Sequence, residues 1–260
     1  LEQGNRKFVG STGNIALFSI DCSMLSADKP VSVVVDSQTI SNVQIPSGAV
    51  IYLRKTGATW ALSTQPSKAD KYPGRCGLIR EAFNNRPVFV IGTKGNAKEN
   101  AWAFDKARLD AEKMWYRGNS AIEIIRDTQF DLARYAKRSV ILFGNATTNS
   151  AWDLLLKDSP IRVTRKSVTI GAKEYKGDDY ACLFTRPRRD CDNASIAVIT
   201  GTGVEGMKLA NLIQYYDQYV SFPDVVVYNS GILQSDEKGV KYTGFFGNDW
   251  SLNKGEFIIQ

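Results

Sequence analysis

The sequence predicts an α/β protein: a layered domain with a mainly parallel sheet flanked by helices, preceded by a small N-terminal β module. Three observations carry this. Val88-Phe89-Val90-Ile91, Val140-Ile141-Leu142-Phe143 and Ile196-Ala197-Val198-Ile199 are apolar throughout, as strands buried on both faces must be. Each leads through glycine and small polar residues into a stretch with apolar residues at helical spacing. Ahead of them, residues 1–63 read as β structure and 64–87 as a connector broken by Pro66, Pro73, Gly74, Gly77 and Pro87, leaving 88–260 for the layered domain.

In the N-terminal module, residues 14–20 and 30–35 are β-branched or aromatic runs between turn residues. Residues 49–54 and 58–62 flank Lys55-Thr56-Gly57, a hairpin signal. In the layered domain, Asn96 caps the first helix with Glu99 in the reciprocal position, and Ala101, Phe104, Ala107, Ala111 and Met114 form its buried face. The second helix carries Trp152, Leu155 and Leu156, and the third Leu209, Leu212, Ile213 and Tyr216. Two insertions interrupt the pattern: a short helix after Asp127 and a β segment at 161–185. Strands return at 224–228 and 242–246.

The 260 residues include no histidine. That removes Ser-His-Asp and Cys-His catalysis and every zinc site that needs imidazole. The chain reads as one that binds, positions or supports, and its residues call for no cofactor. A net charge of +6 is scattered, and the densest basic run, Arg186-Pro187-Arg188-Arg189, is broken by proline and followed by Asp190 and Asp192. A nucleic-acid footprint wants a longer basic stripe with interleaved aromatics, so no nucleic-acid partner is expected. No apolar run approaches the ~20 residues that span a bilayer. The opening at Leu1, without an initiator Met or leader, reads as a processed product or an excised piece.

Cys22, Cys76, Cys182 and Cys191 form no CxxC pair. Cys182 and Cys191 flank a turn-rich stretch between two strand-like runs, where a hairpin disulfide would imply export. The alternative is four ordinary buried thiols.

The sharpest local pattern is Gly201-Thr202-Gly203-Val204-Glu205-Gly206, a GxGxxG between a strand and a helix, where amides and helix dipole suit a nucleotide or other anion. Against it stand Glu205 in the first turn, the motif's late position, and Asp224 at the start of the next strand where an acid should end it. The bland reading is a tight turn that feeds a helix onto the sheet. Loops after parallel strands share one sheet edge, so Thr93, Asn145, Thr148, Asn149, Thr202 and Asn229 would gather beside Gly201 and Gly203, either as a ligand-binding crevice or as helix caps.

Several segments occur in a recognisable order: Val33-Val34-Val35-Asp36; Gly57-Ala58-Thr59-Trp60; Lys71-Tyr72-Pro73-Gly74 with Gly77-Leu78-Ile79-Arg80-Glu81-Ala82-Phe83; Gly92-Thr93; Leu142, Gly144 and Asn149; and Gly244-Phe245-Phe246-Gly247-Asn248-Asp249-Trp250. This order, from about residue 12 to 252, resembles the C-terminal region that follows the α/β-hydrolase domain in exported bacterial proteins of the prolyl-oligopeptidase or esterase type. Two departures stand out. Leu78-Ile79-Arg80-Glu81 replaces a Pro-Ile-Asp-Asp step, and Thr202 to Gly206 replaces an aromatic turn. The resemblance implies a non-catalytic accessory domain of an exported (periplasmic or extracellular) serine-hydrolase-like protein, which supports or shapes a hydrolase domain upstream. Its partner would be that domain of the same polypeptide, or a homo-oligomer partner. No catalytic residue is carried over.

Overall fold

The computed structural model describes residues 1–215 and 223–260, so Tyr216 lies outside the described residues. They divide into two compact units, Leu1–Ser67 and Lys68–Gln260.

The first unit contains β1 (Lys7–Gly10), β2 (Leu17–Asp21), β3 (Val31–Val35), β4 (Gln38–Val43), β5 (Val50–Thr56) and β6 (Thr59–Ser63). They form two three-stranded sheets, β1-β3-β4 and β2-β5-β6. The alternation of β3 buries Val31, Val33 and Val35 against Ile51, Leu53 and Trp60 of the other sheet. Asp36, just past β3, accepts hydrogen bonds from the Thr12 amide (2.6 Å), the Thr12 hydroxyl (2.6 Å), Lys55 Nζ (3.0 Å) and the Trp60 indole (3.0 Å). Gln38 clamps the Trp60 backbone through both amide atoms. The Val-Val-Val-Asp step and the Gly-Ala-Thr-Trp hairpin therefore meet at one carboxylate.

The second unit contains β7 (Val88–Ile91), α1 (Ala97–Gly118), β8 (Glu123–Arg126), β9 (Val140–Phe143), α2 (Trp152–Leu156), β10 (Ile161–Val163), β11 (Ser167–Ile170), β12 (Lys173–Lys176), β13 (Ala181–Pro187), β14 (Ser195–Gly201), α3 (Val204–Leu209), β15 (Val225–Tyr228), α4 (Asp236–Gly239), β16 (Val240–Phe245) and β17 (Glu256–Ile259). Eight of these strands form one sheet in the order β17-β16-β15-β13-β14-β9-β7-β8. This corrects the expected fold class. The protein is mostly β, its sheets are mostly antiparallel, and the large sheet is mixed rather than mainly parallel with flanking helices. Within the large sheet, pairing is parallel only across β8, β7, β9 and β14. The physical reason lies in β13, read in the sequence as part of an insertion. Residues 188–194 link it to β14, too short a connection for the crossover that parallel strands require. It therefore pairs antiparallel with β14, and also with β15, at the centre of the sheet.

One face of this sheet packs Val90, Leu142, Phe184, Val198 and Val227 against Trp152 of α2 and against the small sheet β10-β11-β12. The other face packs Phe89, Ile141, Leu183 and Ile199 against Trp102 and Ala107 of α1, Met207 of α3, and Tyr215. The capping box of α1 forms as expected, with Asn96 accepting from the Glu99 amide and the Glu99 carboxylate accepting from the Asn96 amide. Its buried face is rotated from the expected one. Ala101 and Phe104 are exposed, while Lys106 and Asp110 are buried. Lys106 Nζ lies 2.7 Å from Asp110 Oδ1 and 4.8 Å from the Tyr215 ring centroid, and the Tyr215 hydroxyl donates to Asp110. Mutual pairing is what lets these charges sit inside, so apolar spacing alone misplaces the face. The third helix stops at Leu209, leaving Leu212 in a 3-10 turn.

The Thr12 hydroxyl, the Trp60 indole and the other donors hold the Asp36 carboxyl well below the usual carboxylate range. A carboxyl depressed in the folded state adds stability above its unfolded pKa of about 4 and loses it as pH falls towards the folded value. Protection factors at the Thr12 and Trp60 amides are therefore expected to hold above about pH 4 and to fall below it. Asp36→Asn should lower them and flatten that dependence.

Candidate functional site

The carboxyl ends of β7, β9 and β14 do bring together most of the residues expected at a shared edge. Asn145, buried, donates to the carbonyls of Gly201 (2.9 Å) and Thr202 (3.2 Å). Asn149, also buried, donates to the carbonyls of Val90 (3.1 Å) and Phe143 (3.1 Å), and so bridges β7 and β9 where the strand order reverses. Thr148 accepts at its carbonyl from Lys94, and its hydroxyl accepts from the Asn145 amide. Buried Thr202 accepts at its hydroxyl from the Tyr180 amide. Thr93 donates to Asp127, which also accepts from the amides of Thr128 and Ser150. Asn229 caps a 3-10 turn through the Gly231 amide. Apart from Thr93, these polar groups are spent on backbone, and the 144–149 loop packs against Gly92 and Lys94 past the end of β7.

The glycines of the GxGxxG turn serve close packing. A Cβ on Gly201 would lie 2.2 Å from the backbone of Gly206 and Met207, and one on Gly203 would lie 2.7 Å from the Asp178 carbonyl. The amides of Gly203 and Gly206 both donate to that carbonyl, which takes the place a phosphate would need.

The strongest polar cluster is one that local pattern did not single out. Asp224, buried at the foot of β15, accepts from the Leu78 amide at Oδ1 (2.7 Å) and from the Phe246 amide at Oδ2 (2.9 Å). Lys71 Nζ lies 2.5 Å from the same Oδ2, donates to the Phe246 carbonyl and stands 5.1 Å from the Trp250 ring centroid. Gly77 makes room, since a Cβ there would lie 2.3 Å from Asp224 Oδ1. The connector Lys71-Tyr72-Pro73-Gly74 and the Gly244–Trp250 segment thus meet at one carboxylate. A 153-residue separation hid this pair from any reading of local spacing.

Two of the three arginines of the basic run likewise turn inward, while Arg189 is exposed. Arg186 donates to the Trp250 carbonyl and lies over the Phe246 ring at 4.6 Å, and burial lowers its pKa to about 10. Arg188, buried, donates to the carbonyls of Tyr135 and Arg138 and pairs with Asp190. Arg75, also buried, donates to the carbonyls of Arg188, Cys191 and Lys68. These two guanidinium groups hold the 188–194 loop in place.

Of the two readings of Cys182 and Cys191, the structure has the free thiols rather than the disulfide, and all four cysteines are unpaired. Cys182 sits near the start of β13 inside the core, and Cys191 lies beyond the far end of that strand. At about 3.3 Å of rise per residue the strand alone holds them further apart than the roughly 7 Å that a disulfide tolerates. Burial and the neighbouring Glu81 carboxylate raise the exposed Cys76 thiol to about 11.

At the same sheet edge, a cavity of about 570 Å³ opens beside Thr93, between α1 and β8. Among the described residues no helix is long and apolar enough to cross a membrane. No protein-family model matches the chain, and no curated protein matches it.

Three outcomes follow from this geometry. Gly201→Ala is expected to cost about 1–3 kcal/mol, read from urea unfolding, because the new Cβ meets backbone rather than a flexible side chain. Lys71→Ala should cost about 3–5 kcal/mol by leaving the Asp224 carboxylate buried without its cation. A thiol reagent at high pH should modify Cys76 and Cys191 in the native protein, and all four cysteines only in denaturant.

Proposed function

We propose that this chain is a non-catalytic accessory region of an exported, periplasmic or extracellular, serine-hydrolase-like protein of the peptidase or esterase type. In this reading it supports or shapes a hydrolase domain that the same polypeptide carries upstream. One observation supports it above the others. Segments whose order resembles that region meet each other: Asp36 with Trp60 in one unit, and in the other Lys71 with the Phe246 carbonyl, beside an Asp224 carboxylate that takes both Leu78 and Phe246 amides. Residues used this way hold a framework together. With no histidine in the sequence, no serine has the imidazole base of a triad. On the first unit, Val9, Ile15, Met24 and Leu62 expose apolar side chains, surface of the kind a neighbouring domain can cover.

The test is to label the whole natural polypeptide with a fluorophosphonate and map the labelled peptides. The label is expected on a serine upstream of Leu1 and on none within these 260 residues. Labelling inside this chain, or a stop codon directly before Leu1 in the coding sequence, would overturn the reading.

A further inference from the structure

The cavity between α1 and β8 has a division of labour that the filled edge beside it lacks. Its apolar wall is Ile91, Ile124 and Phe104, and its polar rim is Arg126, Thr128 and Gln129. Strand alternation fixes which way Arg126 faces. Ile125 packs into the core on one side of the sheet, and Ile124 packs on the side that carries α1. Arg126, two positions on, therefore projects on the α1 side as well. Its guanidinium makes no salt bridge among the described residues, and its amide donates to the Gln129 side chain. The adjacent Asp127 carboxylate forms no ion pair with it among the described residues and is instead turned to the neutral donors of Thr93, Thr128 and Ser150. Phe104 is 48% exposed and lines this cavity with no ring packed on it among the described residues. β8 pairs with β7 alone, so its outer edge is open alongside the cavity.

We propose that this cavity binds a carboxylate carried on an apolar body. The carboxylate pairs with the Arg126 guanidinium, whose planar fork matches it in two hydrogen bonds, and the body lies against Phe104, Ile124 and Ile91. The volume, about 570 Å³, falls in the range of small-ligand sites, and the carboxyl ends of parallel strands are where such sites form in open sheets. Two sources share this chemistry: a free aryl- or alkyl-carboxylic acid, and the C-terminal residue of an extended peptide whose backbone adds to the open edge of β8.

The experiment is a titration followed by backbone amide NMR, with 4-phenylbutyrate, its neutral amide, and an acetylated tetrapeptide ending in Phe with a free carboxylate as probes. Saturable shifts at Thr93, Arg126, Thr128 and Gln129 are expected with the acid, and at least tenfold weaker binding with the amide. Arg126→Gln should weaken acid binding at least tenfold, with Arg126→Lys intermediate and both variants melting with the wild type. A free small acid as ligand predicts tetrapeptide binding no tighter than phenylbutyrate. A peptide ligand predicts tighter tetrapeptide binding with additional shifts along β8. Equal response to acid and amide, unchanged binding in Arg126→Gln, or no shift by about 10 mM acid and peptide would overturn the proposal.

Discussion

The buried carboxylate of Asp224 gathers two distant parts of the second unit, the connector and the segment past β16, onto two oxygen atoms. It receives an amide from the end of the connector, an amide from just past β16, and the ammonium of Lys71. A carboxylate taken out of water is tolerated only when its lone pairs are met, so each of those segments is held to a fraction of an ångström. Much else follows from that demand. The Phe246–Trp250 turn lies where Lys71 and Arg186 can pack their cations on its rings. Arg75, four residues beyond Lys71, reaches the carbonyls of the β13–β14 loop. The neighbouring carbonyl of Asp224 itself accepts from Thr185, tying the knot directly to the central strand.

The same economy appears across the molecule. Several buried polar side chains of the second unit face backbone groups: Asn149 between β7 and β9, Asn145 against Gly201 and Thr202, Arg188 against Tyr135 and Arg138. Interiors built this way are specified by direction as well as by volume, because a misplaced amide or guanidinium leaves a donor unpaired. The cavity beside α1 differs from them in keeping an exposed cation and an exposed ring on one open wall.

What could be read from the sequence divides along the range of the interaction. The β5–β6 hairpin, the apolar strands β7, β9 and β14, and the Asn96–Glu99 capping box rest on neighbours a few residues apart, and each is visible in local spacing. The strands β1, β4 and β17 were not, since Gln38–Val43 and Lys7–Gly10 are polar enough to pass for loops until a partner strand supplies their hydrogen bonds. The direction of the large sheet hinged on β13. Its sequence looks like any buried strand, and only the brevity of the loop to β14 distinguishes a hairpin from a crossover. The edge residues from Thr93 to Thr202 were legible as a group, yet their role was not, because a helix cap and a ligand contact draw on the same residue types. Arg126 carried no local signal at all. Its meaning depends on the other end of β8 being an edge and on Asp127 being turned to neutral donors.

The pairing of Lys71 with Asp224 has a temporal consequence during synthesis. The lysine leaves the ribosome 153 residues ahead of its partner, which at ~5–20 residues per second is a wait of about 8–30 s. Through that interval the connector has no carboxylate to close on, while the parallel strands β7, β8 and β9 are complete by residue 143. The nascent chain thus presents its most aggregation-prone surface, half a sheet with an unpaired edge, before the residue that locks the unit has been made. Any nascent-chain chaperone would find its substrate in that window.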